Sequence, residues 1–70
     1  MRMMKYYIKA KVSMRVFGIS GPFEYTASYL VNDTTVDHAK LKFEDRVRWD
    51  NRTKEAQSFD FEYLEVAPEI

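Results

Sequence analysis

Three stretches of two-residue alternation and one of helical periodicity, in the order strand, strand, helix, strand, predict a two-layer α+β domain. The 70 residues are expected to form one unit, residues 1–70, in which a three-stranded antiparallel sheet carries a single helix on one face. Two further observations support this class. Phe, Tyr and Trp make up 16% of the chain, and such rings let a small core bury large area without a disulfide. Charge is also split along the chain. Residues 1–22 hold Arg2, Lys5, Lys9, Lys11 and Arg15 with no acid, whereas residues 55–70 hold Glu55, Asp60, Glu62, Glu65 and Glu69 with no base.

The first strand is expected over about residues 5–17. Tyr6, Ile8, Ala10, Val12, Met14 and Val16 share one face, with Lys5, Tyr7, Lys9, Lys11, Ser13, Arg15 and Phe17 on the other, the pattern of a half-buried strand. Gly18-Ile19-Ser20-Gly21-Pro22 ends it, because Pro22 has no N–H to give a ladder and the glycines accept positive φ. A second strand, about 23–31, sets Phe23, Tyr25, Ala27, Tyr29 and Val31 against Glu24, Thr26 and Ser28, so the two strands read as a hairpin.

Asn32-Asp33-Thr34-Thr35 is a capping segment. Thr34 stands three residues before Asp37, a capping-box spacing, and an acid there suits the positive end of a helix. The helix is expected over about 35–50, with Val36, Ala39, Phe43 and Val47 on one stripe. Arg46, Arg48 and Arg52 gather near its C-terminus, where cations suit the dipole, and Asn51, which tolerates left-handed backbone, is the expected stop. The last strand, about 57–66, alternates Phe59, Phe61 and Tyr63 against Ser58, Asp60 and Glu62. Leu64, Glu65 and Val66 break that rhythm, so a bulge or strand end is expected near residues 63–65, and residues 67–70 are expected to be loose.

The charge split selects the order of the strands. Placing the basic first strand beside the acidic last one sets opposite charges across from each other, each such pair contributing about 0.2–1 kcal/mol. The expected order is therefore 2-1-3. It leaves each outer strand with one open edge, available to a partner or to a second copy in a homodimer.

Composition excludes several functions. Zero cysteines remove disulfides, thiolate metal sites and cysteine nucleophiles, and one histidine leaves no histidine-rich metal site. His38 beside Asp37 is the one conventional acid–base candidate, and its place at an exposed helix start makes a solvated histidine the expected reading. Ser13, Ser20, Ser28 and Ser58 lie outside any G-x-S-x-G elbow, and two glycines cannot build a phosphate loop. Asp60, Glu62 and Glu65 alternate along a strand rather than encircle an ion. No catalytic residue, metal or cofactor is expected, and the chain reads as a non-enzyme. Asn32-Asp33-Thr34 and Asn51-Arg52-Thr53 fit the glycosylation pattern but read as a helix cap and a helix exit. Lys9, Lys11 and Arg15 interrupt any export-type apolar run and no stretch nears the roughly 18 residues of a membrane span, so a cytoplasmic protein without a membrane partner is expected.

Two surfaces remain as binding candidates. Leu41 and Trp49 fall off the core stripe, beside Arg48 and Arg52, a set of residue types that anchors protein interfaces; the alternative is that Trp49 folds back under the next loop. On the outer face of the first strand Tyr7, Lys9, Lys11, Arg15 and Phe17 interleave rings and cations, as sheets that bind single-stranded nucleic acid do. The acidic last strand alongside cancels much of that field, and no Lys/Arg-Gly-Phe-type motif is present. A protein partner is the first reading and a nucleic acid the alternative.

The run Lys5-Tyr6-Tyr7-Ile8-Lys9-Ala10-Lys11, followed by Asp33-Thr34-Thr35-Val36-Asp37-His38-Ala39-Lys40 at the start of the helix, resembles the layout of small phage- or mobile-element-encoded accessory proteins, inhibitors of bacterial defence systems among them. The resemblance implies a protein that acts by occupying a partner's surface. The balanced charge differs from that of the strongly acidic, DNA-mimicking members.

Overall fold

A computed structural model describes residues 2–69. Strand β1 (Met4–Val16), strand β2 (Phe23–Asp33), helix α1 (Val36–Asp50) and strand β3 (Ala56–Glu69) follow in that order. The sheet is antiparallel throughout, with strand order β2-β1-β3, and α1 lies on one face: the α+β architecture that patterning and charge predict. Lys5 stands opposite Glu69, Lys9 opposite Glu65 and Lys11 opposite Glu62, so the basic and acidic strands are neighbours.

Alternation decides which residues enter the core. Tyr6, Ile8, Ala10, Val12 and Met14 of β1 are buried, as are Ala39, Phe43 and Val47 of α1. Phe43 is fully enclosed, with Tyr29, Phe61 and Tyr63 around it at ring-centroid distances of 5.8, 6.2 and 6.1 Å. Ile8, Val12, Phe43 and Phe61 meet in one interior, while Tyr25 stays 38% exposed at its margin. The reason is length. A 13-residue strand spans about 43 Å and a 15-residue helix about 22 Å, so α1 covers about half of the sheet. The molecule measures 44 × 19 × 14 Å, and the hairpin tip with Phe17, Ile19 and Phe23 extends into solvent.

Besides one-residue shifts in where β1 starts and ends and β3 starts, the elements differ from expectation in five places. β2 runs two residues further, since Asn32 and Asp33 pair with Lys5 and Met4. The N-cap is Thr35, whose Oγ1 accepts the His38 N–H at 3.3 Å, so no Thr34–Asp37 box forms. Asn51 ends the helix without left-handed backbone (φ −108°): it is buried, and its Nδ2 donates to the Val47 carbonyl and to the Tyr25 hydroxyl, both at 2.8 Å. Positive φ falls instead on Glu55 (53°), Gly18 and Gly21 (both 81°).

The fourth difference is that residues 67–69 are strand, not a loose tail. Ala67, Pro68 and Glu69 pair with Tyr7, Tyr6 and Lys5, because β1 starts early enough to receive them. Ile70, placed in the same tail, lies outside the described residues. The expected bulge is present, with Lys9 opposite Glu65 and Ala10 opposite Tyr63, which leaves Leu64 as the extra residue. The fifth difference is a second irregularity at Gln57, between the Arg15–Ser58 and Val16–Ala56 pairs; nothing in the alternation marks it. β1 ends at Val16, and the Phe17 N–H bonds the Glu55 carbonyl at 3.3 Å.

Candidate functional site

Helical geometry sorts the polar side chains of α1 into three rows. Core residues Ala39, Phe43 and Val47 face the sheet, so residues one position earlier lean over β2 and residues one position later lean over β3. On the β2 side the Lys42 ammonium donates to the Asn32 carbonyl (2.8 Å) and pairs with Asp33 (3.2 Å). Arg46 stacks 4.9 Å over the Tyr29 ring and pairs with Asp50 at 3.2 Å. The Tyr29 hydroxyl donates to Asp50; that bond holds the Asp50 carboxyl below its ordinary range and, as the main cause, raises the Tyr29 phenol.

On the β3 side Lys40 lies 5.0 Å over Tyr63, and Arg48 lies 5.6 Å from the Phe61 ring and 5.9 Å from that of Phe59. The Tyr63 hydroxyl donates to Glu44. Burial first, and this bond second, push the Tyr63 phenol well above its ordinary value of 10.0. Asp33 is held low chiefly by the Thr34 N–H at 2.6 Å, with Lys42 adding to the effect against the cost of burial. Both flanks of the helix are thus clamped to the sheet.

The third row faces away from the sheet. Leu41 is 59% exposed and Trp49 62% exposed, with Asp45 between them on the same ridge. Trp49 therefore does not fold back into the core. Arg52 stacks 4.0 Å from the Trp49 ring centroid, and its Nη1 donates to the Trp49 carbonyl at 2.9 Å. The structure thus brings Trp49 and Arg52 together as one preordered unit. Leu41 stands two turns away, about 12 Å along the axis. Arg48 belongs to the β3 flank, where it also pairs with Glu44 (3.6 Å) and Asp45 (3.4 Å). A sequence pattern shows which residues miss the core stripe; the stacking of Arg52 depends on how the chain leaves the helix at Asn51.

The outer sheet face is open along its whole length, since the helix lies on the other side. Tyr7 and Lys9 are half-buried there, and Lys11, Arg15 and Phe17 are exposed. Lys11 pairs with Glu24 at 3.5 Å. Lys5, Lys9, Lys11 and Arg15 share this face with Glu24, Asp60, Glu62, Glu65 and Glu69, so carboxylates outnumber cations. Leu64 lies 52% exposed at the bulge. His38, read beside Asp37, has its Nδ1 3.7 Å from Asp33 and is largely solvated. No group of three or more His, Asp or Glu among the described residues could hold a metal ion, and none of these residues forms a helix long and apolar enough to cross a membrane.

The fold defines an open-faced ββαβ domain of the α+β class, with one covered and one solvated sheet face. Comparison with protein-family models, with curated proteins and with solved structures found no match.

Proposed function

We propose that this chain is a non-enzymatic binding protein that occupies the surface of a protein partner, with Trp49 and Arg52 at the centre of the contact, Leu41 two turns away along the same ridge and Arg48 at its margin on the β3 flank. The observation that carries this reading is the Trp49–Arg52 stack on the outward ridge of α1. A large ring left mostly in solvent contributes little to folding. Held by Arg52, it also enters a complex with less side-chain entropy left to lose. Trp and Arg are the residue types most enriched among interface hot spots. The matching partner surface is an apolar pocket rimmed by carboxylates.

The resemblance to phage-encoded accessory proteins makes an inhibitor acting in the cytoplasm the first class to test. Single-stranded nucleic acid on the outer sheet face is the weaker reading, because phosphate attraction drives such binding and carboxylates outnumber cations there. The test is affinity capture from source cells with wild-type protein, Trp49→Ala and Arg52→Ala. Both variants are expected to keep the wild-type circular dichroism spectrum and to melt within about 0.5 kcal/mol of it. Loss of the captured protein in both supports the proposal, and undiminished capture by Trp49→Ala overturns it.

A further inference from the structure

The two edges of the sheet are protected very differently. β3 carries two bulges, Pro68 and the carboxylates of Asp60, Glu62, Glu65 and Glu69, all devices that discourage another strand from adding to an edge. β2 carries no bulge and no Pro, and its guards are confined to its ends: Glu24 at one, and at the other Asp33 with Lys42 of α1, which bonds the Asn32 carbonyl. It pairs with β1 over eleven consecutive residues without a shift, it contains no Pro or Lys, and Glu24 is its only charge before Asp33. Its sequence, Phe-Glu-Tyr-Thr-Ala-Ser-Tyr-Leu-Val, is rich in residues that favour strands. Phe23, Tyr25 and Leu30 remain exposed along it. A groove of about 330 Å³ follows this edge between Tyr29–Asn32 and the side chains of Lys42 and Arg46.

The backbone of this edge is aimed outward at even-numbered positions. Lys42 reaches the Asn32 carbonyl from the open side of β2, so the two-residue alternation turns the N–H and C=O groups of Thr26, Ser28 and Leu30 the same way. The Phe17 N–H bonded to the Glu55 carbonyl agrees: odd positions of β1 point to β3, and the residues of β2 opposite them therefore point to solvent.

We infer that β2 pairs with β2 of a second copy, antiparallel about a two-fold axis near Ser28, to make one continuous six-stranded sheet in a homodimer. Pairing centred on Ser28 sets Thr26 against Leu30, Ala27 against Tyr29 and Tyr25 against Val31, with Glu24 opposite Asn32. No like charges meet, odd residues stay on the core side, Tyr25 stands beside Val31 and Tyr29 beside Ala27, and Phe23 falls opposite Asp33 at the margin. The other strand combinations fail on charge or closure. β3 against β3 crowds carboxylates together, and β2 against β3 is head-to-tail and propagates without closing. The two-fold axis is perpendicular to the sheet, so both helices lie on one face and both Trp49–Arg52 stacks point the same way.

Sedimentation equilibrium across micromolar concentrations tests this, together with amide hydrogen exchange of the wild-type protein. The expected result is a species of twice the chain mass, with the amides of Thr26, Ser28 and Leu30 protected. Ser28→Lys, which faces solvent in a monomer but places like charges together at the axis, is expected to weaken dimerisation at least tenfold with an unchanged circular dichroism spectrum. Ser28→Pro removes one outward donor without touching the β1 ladder and is expected to do the same. Asp60→Lys on β3 is expected to leave the dimer intact. A monomer at hundreds of micromolar, a dimer indifferent to Ser28→Lys, or open-ended growth overturns the inference. None of these readouts depends on the Trp49 partner.

Discussion

Tyr63 shows how one side chain couples burial to charge. Its ring packs against Phe43 and its hydroxyl donates to Glu44, so the neutral phenol is favoured in the folded chain and its pKa rises above 10.0. The unfolded chain gives up this proton near pH 10.0, before the folded chain does. The stability that Tyr63 contributes is therefore fully present below that pH and lost as pH rises above it. Tyr29, raised by its bond to Asp50, adds to the same trend. Wild-type protein is expected to lose melting temperature steeply above pH 10, and Tyr63→Phe to lose it less steeply; identical slopes would refute the linkage. Asp33 acts in the opposite direction, since its lowered pKa makes its contribution present above the ordinary carboxylate range and lost in acid.

At the scale of elements, the end of α1 is set by a tertiary contact rather than by backbone chirality. The Asn51 side chain closes the helix by bonding the Val47 carbonyl and also ties it to Tyr25 of β2. Asn51→Ala removes two side-chain hydrogen bonds, leaving the Tyr25 hydroxyl without this donor and the Val47 carbonyl with only the backbone N–H of residue 51, and is expected to cost about 1–3 kcal/mol in urea unfolding. Tyr25→Phe is expected to cost less, and the double variant less than the sum, because one hydrogen bond is lost in both. Strict additivity would show that the two residues act separately. Asn51 was legible in the sequence as a helix stop, but its mode of action was not, because Tyr25 stands 26 residues away. The Leu64 bulge was legible, since it throws the alternation out of phase. The Gln57 irregularity was not, because polar Gln57 and Ser58 fit an exposed strand in either register.

For the whole molecule, one ring carries a large share of the cohesion. Phe43 is fully buried and touches rings from both outer strands, so it joins the helix to β2 and β3 at once. Phe43→Ala is expected to cost about 3–5 kcal/mol. A domain of this size holds roughly 0.05–0.15 kcal/mol per residue, about 4–10 kcal/mol in all, so the loss removes from about a third to the whole of its stability. The expected outcome is a chain largely unfolded at 37 °C by near-ultraviolet circular dichroism; a sharp wild-type-like transition would show that the core repacks around the gap.

The linear order of residues settles which face each strand buries, which stripe of the helix meets the sheet, and which strand lies in the middle. These follow from period-two and period-3.6 alternation and from the separation of basic and acidic ends, all of which act between near neighbours or between whole strands. Where each element ends, how far the helix reaches along the sheet, and which side chains are left outside depend on matching lengths between parts remote in the chain. β1 starts early enough to pair residues 67–69, α1 stops short of the hairpin tip, and Trp49 is left to stack on Arg52 in solvent. Burial is a property of what lies opposite, and that is decided when the layers come together.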